Sequence, residues 1–198
     1  ELYKDGLQRD LFLPFIKMLQ ENLIVFELDN RKDYRLEKLC LMDIYITPTG
    51  DEATIKLERA FQELSIGAEI KPRILSVNGR DIEMLKTAEG VVFASFKDLC
   101  AQPLGPGDYL ALAARFHTVV MRDVPAMRPE NRNEAKRFVT MIDAFYDSRV
   151  KFICSADSAP DQLYTEGDGA FEFKRTVSRL IEMQSTDYMA MPHTPSLT

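Results

Sequence analysis

The sequence predicts an α/β fold, and three observations lead to this class. Residues 131–157 combine apolar spacings of three and four with a following alternation, the pattern of a helix that leads directly into a strand. Residues 23–28 (LIVFEL) form a near-continuous apolar run, which is typical of a strand buried on both faces of a parallel sheet. Two alternating segments flank Asn78-Gly79, the dipeptide that best fits a two-residue hairpin turn. Helix–strand units of this kind build α/β sheets.

Composition bounds the class of protein further. The chain has 198 residues, 45% of them apolar, which is enough for a substantial core. A net charge of −6 argues against a nucleic-acid-binding surface, and no apolar run reaches the roughly 18 residues of a membrane span. The three cysteines are widely spaced and the two histidines stand apart, so we expect no metal site and a reducing compartment. No signal peptide is visible at the polar start. Because the chain opens at Glu1 without an initiator methionine, in what looks like the inside of a motif, we expect a fragment of a longer protein or a chain described only in part.

The first elements follow from the apolar pattern and from helix-start signals. Pro14 is tolerated at the first position of a helix, so a helix over 14–20 is predicted, preceded by a turn that carries Arg9. The strand at 23–28 follows, and a short strand is predicted at 44–47. Thr49 and Glu52 have the spacing of a capping box, which predicts a helix over 51–65. Its apolar face comprises Ala53, Leu57, Ala60, Phe61 and Leu64.

The middle of the chain reads as strands joined by turns. Residues 73–85 form the predicted hairpin, and 91–96 are expected to be a third strand of the same sheet. A loop rich in proline and glycine leads to Asp108, the expected N-cap of a helix over 109–116. An alternating strand over 117–124 ends at Pro125.

The last third repeats the helix–strand arrangement. In 131–157 the helical face carries Ala135, Phe138, Ile142 and Phe145, and the strand covers 150–154. One further helix is predicted over 171–188, with Phe173, Val177, Leu180 and Ile181 facing inward. The final residues contain two prolines and no periodicity, which predicts a loose tail over 191–198.

The sequence lacks the common catalytic and phosphate-binding motifs. It contains neither GxxxxGK[ST] nor GxGxxG, and neither GxSxG nor HExxH. An enzyme built on Cys154 or His117 is disfavoured, because no partner base or acid stands at a suitable spacing. The candidate binding residues are arginines, because the planar and permanently charged guanidinium suits phosphate. These candidates, which alternatively serve as surface or ion-pair residues, are Arg9, Arg137, Arg175 and Arg179.

Seven sequence blocks, in order, resemble one family. They are ELYKDGLQRDLFLPFI, DYRL, LC-x-x-PLG-x-x-DYL, FHTVVMRDVP, NRNEAKRFVTMIDAFYD, RVKFICSAD and FEFKRTVSRLIEMQS. Together they resemble the C-terminal half of the ZapE-type cell-division ATPases, to which the mitochondrial lactation-elevated ATPase is related. The resemblance implies a branch of the AAA+ P-loop ATPases whose phosphate loop and magnesium-binding acids precede Glu1. ATP and Mg²⁺ would then be bound mainly by upstream residues, and this chain alone is predicted to be inactive.

The same resemblance implies roles for the arginines and a plan for the chain. By position Arg9 is the candidate arginine finger, and Arg175 or Arg179 is the candidate nucleotide sensor. Arg137 falls where the family has two basic residues, and it is a weak candidate that alternatively ties its helix to an acidic neighbour. Residues 1–30 would complete the AAA+ core. Residues 31–190 would form a C-terminal α/β region that holds the hairpin and both helix–strand units, with the tail at 191–198.

The function implied by the resemblance is ATP-driven remodelling of a protein partner. In bacteria this partner is the tubulin-like division protein FtsZ, and in mitochondria the family is linked to quality control of respiratory-chain subunits. The intact protein would form a homo-oligomer in the bacterial cytoplasm or, alternatively, in the mitochondrial matrix, without a membrane span and without nucleic acid. The missing phosphate loop supports a different alternative, namely a stand-alone, non-catalytic protein-interaction module.

Overall fold

The computed structural model of the chain describes residues 42–65, 68–77 and 79–194, together with Pro14 and Met18. The chain divides into two compact units, Glu1–Asp33 and Tyr34–Thr198, and the continuous described ranges all belong to the second. The predicted helix over 14–20, apart from those two residues, and the predicted strand at 23–28 therefore lie outside the described residues. The expected ATPase-core part over 1–30 stays a prediction for the same reason.

The described unit is built on a mixed six-stranded sheet. In spatial order the strands run β1-β6-β5-β4-β3-β2. The strands β1, β6, β5 and β4 run parallel to one another. The hairpin of β3 and β2 continues the sheet, and β3 is antiparallel to β4. The strands are β1 Tyr45–Ile46, β2 Lys71–Val77, β3 Arg80–Ala88, β4 Val91–Ser95, β5 Thr118–Val124 and β6 Lys151–Ala156. The predicted α/β class is confirmed, and the hairpin shares one sheet with the strand predicted at 150–154.

Five α-helices accompany the sheet in the part of the chain that the structure describes. They are α1 Asp51–Leu64, α2 Pro106–Arg115, α3 Arg132–Asp147, α4 Ala170–Glu182 and α5 Thr186–Ala190. Short helical turns occupy three connections: a π-helical turn at Lys97–Ala101 and 3₁₀ turns at Pro129–Asn131 and Pro160–Gln162. The loop expected before α2 therefore contains one helical turn of its own.

The strand register places the helices in two layers. Phe93 lies beside Val120 in the sheet, whereas Phe152 lies beside Val119, so the two phenylalanines point to opposite faces. Phe61 of α1 packs edge-on against Phe93, with 5.8 Å between ring centroids. Phe145 of α3 packs against Phe152 at 6.1 Å. The unit is therefore a three-layer sandwich, with α1 on one face and α3 on the other.

Helix α1 confirms the apolar pattern but not the predicted cap. All five apolar residues expected on its inner face are buried. The N-cap position is Gly50 rather than Thr49, and no side chain caps the helix. The Thr49 hydroxyl instead donates a hydrogen bond to Asp157, which follows β6. A distant carboxylate therefore takes the hydroxyl that the local sequence assigns to the helix end.

Helix α2 begins earlier than predicted and uses Asp108 differently. The helix starts at Pro106 with Gly105 as its N-cap, so Asp108 lies within the first turn. From there its carboxylate accepts a hydrogen bond from the Gly105 N–H at 2.8 Å and pairs with Arg80 of the hairpin at 2.7 Å. Asp108 thus still satisfies the helix start, but it also ties the hairpin to α2.

The helix predicted over 171–188 is two helices in the structure. Helix α4 ends at Glu182, and the side chain of Ser185 accepts a hydrogen bond from the Tyr188 N–H to start α5. Phe173 and Leu180 are buried as predicted, but the side chain of Ile181 is 58% exposed. The prediction for Ile181 was wrong because the buried face of α4 runs through Phe173, Thr176 and Leu180 to Met183, and Ile181 lies beside it.

Lys151 fixes the C-terminal segment although it lies in a buried strand. Lys151 is only 7% exposed, and its ammonium donates hydrogen bonds to the carbonyl oxygens of Tyr188 at 2.9 Å and Met191 at 2.6 Å. The ammonium also lies 5.1 Å from the Tyr188 ring centroid. Beyond this point His193 contacts the Ala113 carbonyl at 2.8 Å. Residues 191–194 of the predicted tail are therefore held on the domain.

Stability should rise with pH through the titration of Lys151. Burial, and secondarily the neighbouring Arg149, lowers the pKa of Lys151 from 10.5 to about 8. Between these values the unfolded chain binds more protons than the folded one, so the free energy of unfolding increases with pH, by at most about 1.4 kcal/mol per pH unit. We expect Lys151→Met to lose this increment in urea unfolding between about pH 8 and 10. The exposed Lys174→Met variant should retain it, and identical pH profiles for Lys151→Met and wild type would contradict the assignment.

Candidate functional site

The carboxyl ends of the four parallel strands meet at one edge of the sheet. In open α/β sheets ligands bind in the crevice at this edge, where neighbouring connections diverge. Four connections leave it: 47–50 between β1 and α1, 96–105 between β4 and α2, 125–131 between β5 and α3, and 157–169 between β6 and α4. The first is a strand–loop–helix connection, the position that a phosphate loop occupies in proteins that have one.

Asp157 joins three of these connections. Its carboxylate accepts the hydroxyl hydrogen of Thr49 and, on the other oxygen, the N–H of Ala126 at 3.1 Å. Its own N–H donates to the Val124 carbonyl at 2.9 Å. An anionic side chain therefore fills the crevice between the β1 and β5 connections, where a phosphate site would need hydrogen-bond donors.

The start of α1 is also unsuited to phosphate. Its first turn carries Asp51 and Glu52, whose charges already complement the positive end of the helix dipole. The connection before it, Thr47-Pro48-Thr49-Gly50, has no lysine to reach a phosphate. In the described residues 47–52, the connection and first turn of α1 therefore present two carboxylates and no lysine.

Two of the predicted arginines meet at one carboxylate. Arg175 and Arg179 of α4 both form ion pairs with Asp143 of α3. Arg179 also approaches Asp147 at 3.5 Å, and its guanidinium lies 4.8 Å from the Tyr146 ring centroid. The cluster joins α3 to α4 on the layer opposite α1. The arrangement is that of a structural ion-pair network, the alternative that the sequence left open.

The two arginines differ in how free they are to leave this network. The side chain of Arg175 is 63% exposed and makes one ion pair with Asp143. The side chain of Arg179 is 19% exposed and has the stacked tyrosine as a third contact. A long exposed side chain holds a surface ion pair only weakly. Arg175 is therefore the more easily released of the two from its ion pair.

Asp143 should contribute measurably to stability. We expect Asp143→Asn to lower the free energy of unfolding by about 1–2 kcal/mol, because the partly buried Arg179 loses a charge-assisted hydrogen bond. The matched variant Asp147→Asn changes a side chain that is 64% exposed and should cost less than about 0.5 kcal/mol. Urea unfolding at neutral pH measures both. Equal losses in the two variants would show that Asp143 does not hold the helix pair.

Arg137 contacts protein groups as well. Its Nε donates to the carbonyl of Cys100 in the π-helical turn, and its guanidinium lies 3.6 Å from Glu134. The side chain is 22% exposed. This geometry supports the weaker expectation for Arg137, that it ties its helix to neighbours. Arg9, the candidate finger, lies outside the described residues.

Two of the cysteines lie in the described part of the chain, and both are buried. Burial raises the pKa of the Cys100 and Cys154 thiols, so neither is activated as a nucleophile. Among the residues that the structure describes, no cluster of histidine, cysteine, aspartate and glutamate could hold a metal ion. No helix in those same ranges is long and apolar enough to cross a membrane.

Sequence reasoning missed the two carboxylates that organise these regions. Asp157 had a signal, because an acidic residue directly after a buried parallel strand belongs at the carboxyl edge of the sheet. Asp143 had none, since its partners lie on a helix about 30 residues further along and helix pairing is not encoded locally. Periodicity places Asp143 on α3 but cannot say which helix faces it.

Comparisons with known proteins place the whole chain in one group of relatives. The AFG1-like ATPase family model matches residues 1–192. The cell division protein ZapE of Escherichia coli strain K12 is 35% identical over 98% of this chain and 52% of that protein. Lactation elevated protein 1 homolog B of Danio rerio is 34% identical over 95% of this chain and 44% of its own length. The chain thus spans about half the length of these relatives, and no solved structure matches it significantly.

Proposed function

Because the chain belongs to the AFG1-like ATPase family, we propose that it forms the C-terminal part of an ATP-hydrolysing AAA+ protein that remodels a protein partner. The observation that carries the proposal is a family match over 1–192 in a chain whose sequence contains no GxxxxGK[ST] motif. ATP and Mg²⁺ are then bound mainly by residues that precede Glu1 in the longer protein. This half contributes arginines to that site and surface to the partner.

The arginine roles in this proposal follow their positions in the family blocks. Arg9, in GLQRDLFLPFI, is the finger that reaches the nucleotide of a neighbouring subunit. Arg175 or Arg179 senses the nucleotide of its own subunit, and the greater exposure of Arg175 favours it. Sensing requires the chosen arginine to exchange Asp143 for phosphate, so nucleotide binding would loosen the contact between α3 and α4. Arg137 stays in its structural contacts.

The partner and compartment belong to the same proposal. One relative is named a cell division protein, which supports a division protein of the FtsZ type as the partner and the bacterial cytoplasm as the compartment. The alternative is a mitochondrial matrix protein that acts in protein quality control, which the match to lactation elevated protein 1 homolog B keeps open. A finger supplied in trans requires a homo-oligomer in either case.

A stand-alone interaction module is the second candidate function. The missing phosphate-loop motif favours it, since an interaction module needs no nucleotide to bind a partner. The two candidates share the described surfaces but differ in whether the intact gene product turns over ATP.

ATP binding and turnover separate the two candidates. We expect the full-length gene product to hydrolyse ATP with Mg²⁺, and we expect the 198-residue chain alone to show neither calorimetric ATP binding nor turnover. Inactive full-length protein would favour the interaction module. Binding by the 198-residue chain alone would place a phosphate site within this half and contradict the division of roles.

A further inference from the structure

A groove of about 340 Å³ opens between the first turns of α3 and α4. It lies at the carboxyl edge of the sheet, because both helices follow directly on the connections that leave β5 and β6. Its apolar lining consists of Ala135 and Val139 from α3, Phe173 from α4 and Tyr164 from the connection before α4. The volume is at the small end of the range for ligand pockets, roughly 300–1,000 Å³.

The two walls of the groove carry opposite charges. Arg132 and Lys136 stand one helical turn apart on α3, and Asp168 and Glu172 stand at the start of α4. All four residues are exposed. Within the described part of the chain none of them forms an ion pair.

The far end of the same helix pair provides the contrast. There Asp143 of α3 and the two α4 arginines neutralise one another across the contact between the helices. At the groove the helices carry charges of both signs but are separated by the cavity, so the charges face open space. A pair of like-charged walls would favour a single ion, whereas opposite walls favour a ligand that carries both charges.

The groove is held in shape by buried contacts. The buried Tyr164 donates its hydroxyl hydrogen to the Asp168 carbonyl at 2.8 Å. Gly167 packs so closely here that a Cβ atom would lie 2.7 Å from the Tyr164 hydroxyl and 3.0 Å from the Pro129 Cα. Phe173 stacks on Phe138 of α3, with ring centroids 6.2 Å apart. A ligand would therefore meet a preformed site and would not have to order it.

We propose that this groove receives a segment of the partner protein in which one apolar side chain lies between an acidic and a basic residue. The acidic residue faces Arg132 and Lys136, the basic residue faces Asp168 and Glu172, and the apolar side chain covers the apolar lining. A nucleotide fits less well, because the carboxylates of one wall repel its phosphates. The proposal rests on the proposed partner-binding function and names the recognised chemistry.

The test uses fluorescence anisotropy of labelled peptides with the full-length gene product. The probes are matched peptides with the cores Glu-Leu-Lys, Glu-Leu-Glu and Lys-Leu-Lys. We expect the Glu-Leu-Lys peptide to bind most tightly and Lys136→Glu to weaken its binding about tenfold, since the basic wall then carries no net charge. Arg115→Glu makes the same change of charge at an exposed residue outside the groove and should leave binding unchanged. Glu172→Lys, which leaves the acidic wall without net charge, should weaken binding of the same peptide by a similar factor.

The outcomes separate this proposal from the one on which it rests. No binding of the Glu-Leu-Lys peptide to wild type, or equal effects of Lys136→Glu and Arg115→Glu, would overturn the groove assignment while ATP turnover stayed intact. Tight binding of both like-charged peptides would overturn the charge argument. Failure of the proposed function would instead appear as wild-type protein that turns over no ATP, a measurement made without peptide.

Discussion

Replacing Arg9 with alanine in the full-length gene product should lower the ATP turnover number by about 10³-fold or more, because a finger supplied in trans stabilises the charge that develops in phosphoryl transfer. Nucleotide affinity should change little, since the finger acts in the transition state rather than on bound ATP. Turnover with Mg²⁺ and the dissociation constant of a slowly hydrolysed ATP analogue measure the two effects separately. Arg59→Ala, at an exposed residue of α1, is the matched control and should keep normal turnover.

Complementation shows whether Arg9 acts on a neighbouring subunit. A second variant that lacks an upstream magnesium-binding acid keeps Arg9 but cannot hydrolyse ATP. Mixed with Arg9→Ala subunits, it should restore part of the turnover, since it presents a finger to sites that are otherwise intact. Near-normal turnover of Arg9→Ala alone would rule Arg9 out as the finger. Loss of turnover without complementation would point to an effect within one subunit.

The elements that could be predicted are those specified by local periodicity. Helix α1 buries all five residues that spacings of three and four selected, and Gly79 has the positive φ of +77° that the hairpin turn requires. Strand β5 was predicted one residue too long at its start, which is the ordinary uncertainty of strand ends. Such elements can be predicted because each depends on residues close in sequence, within two helical turns or within one hairpin.

The errors share a different cause, since each depends on a segment distant in sequence. Thr49 leaves its local helix for Asp157, more than 100 residues away, and Lys151 is buried because the segment after α4 folds over it. Side-chain periodicity carries no information about such partners. The candidate site also depends on a contact between segments distant in sequence. Residue type selects Arg175 and Arg179 as phosphate ligands, but only the packing of α3 on α4 shows that Asp143 already holds them.

Within the proposed function, Asp143 and the nucleotide phosphate compete for the same arginine. An arginine that must exchange a carboxylate for phosphate loses an ion pair. This loss lowers the net free energy of nucleotide binding through that arginine. The contact that it weakens joins the two helices whose first turns form the groove. Nucleotide and partner segment would then be coupled through the relative position of α3 and α4, and the coupling must be reciprocal in free energy.

Replacing Phe138 with alanine should cause a large loss of stability, because the residue is among the largest fully buried side chains of the described unit. The residue is 1% exposed, and its ring contacts Phe96 after β4, Phe152 in β6 and Phe173 in α4, with centroid distances of 5.9, 6.4 and 6.2 Å. Truncation leaves a cavity shared by the sheet and two helices, and we expect the free energy of unfolding to fall by about 3–5 kcal/mol.

Phe171→Ala is the matched control for this loss. It removes the same atoms from a side chain that is 83% exposed, so we expect a change below about 0.5 kcal/mol in the same urea titration. The comparison separates burial from residue type, because both phenylalanines belong to the helices that line the groove. If the two variants lost equal stability, Phe138 could not occupy the junction of β6, α3 and α4. The proposed coupling between the arginine network and the groove would then lack the packed contact between α3 and α4 on which it depends.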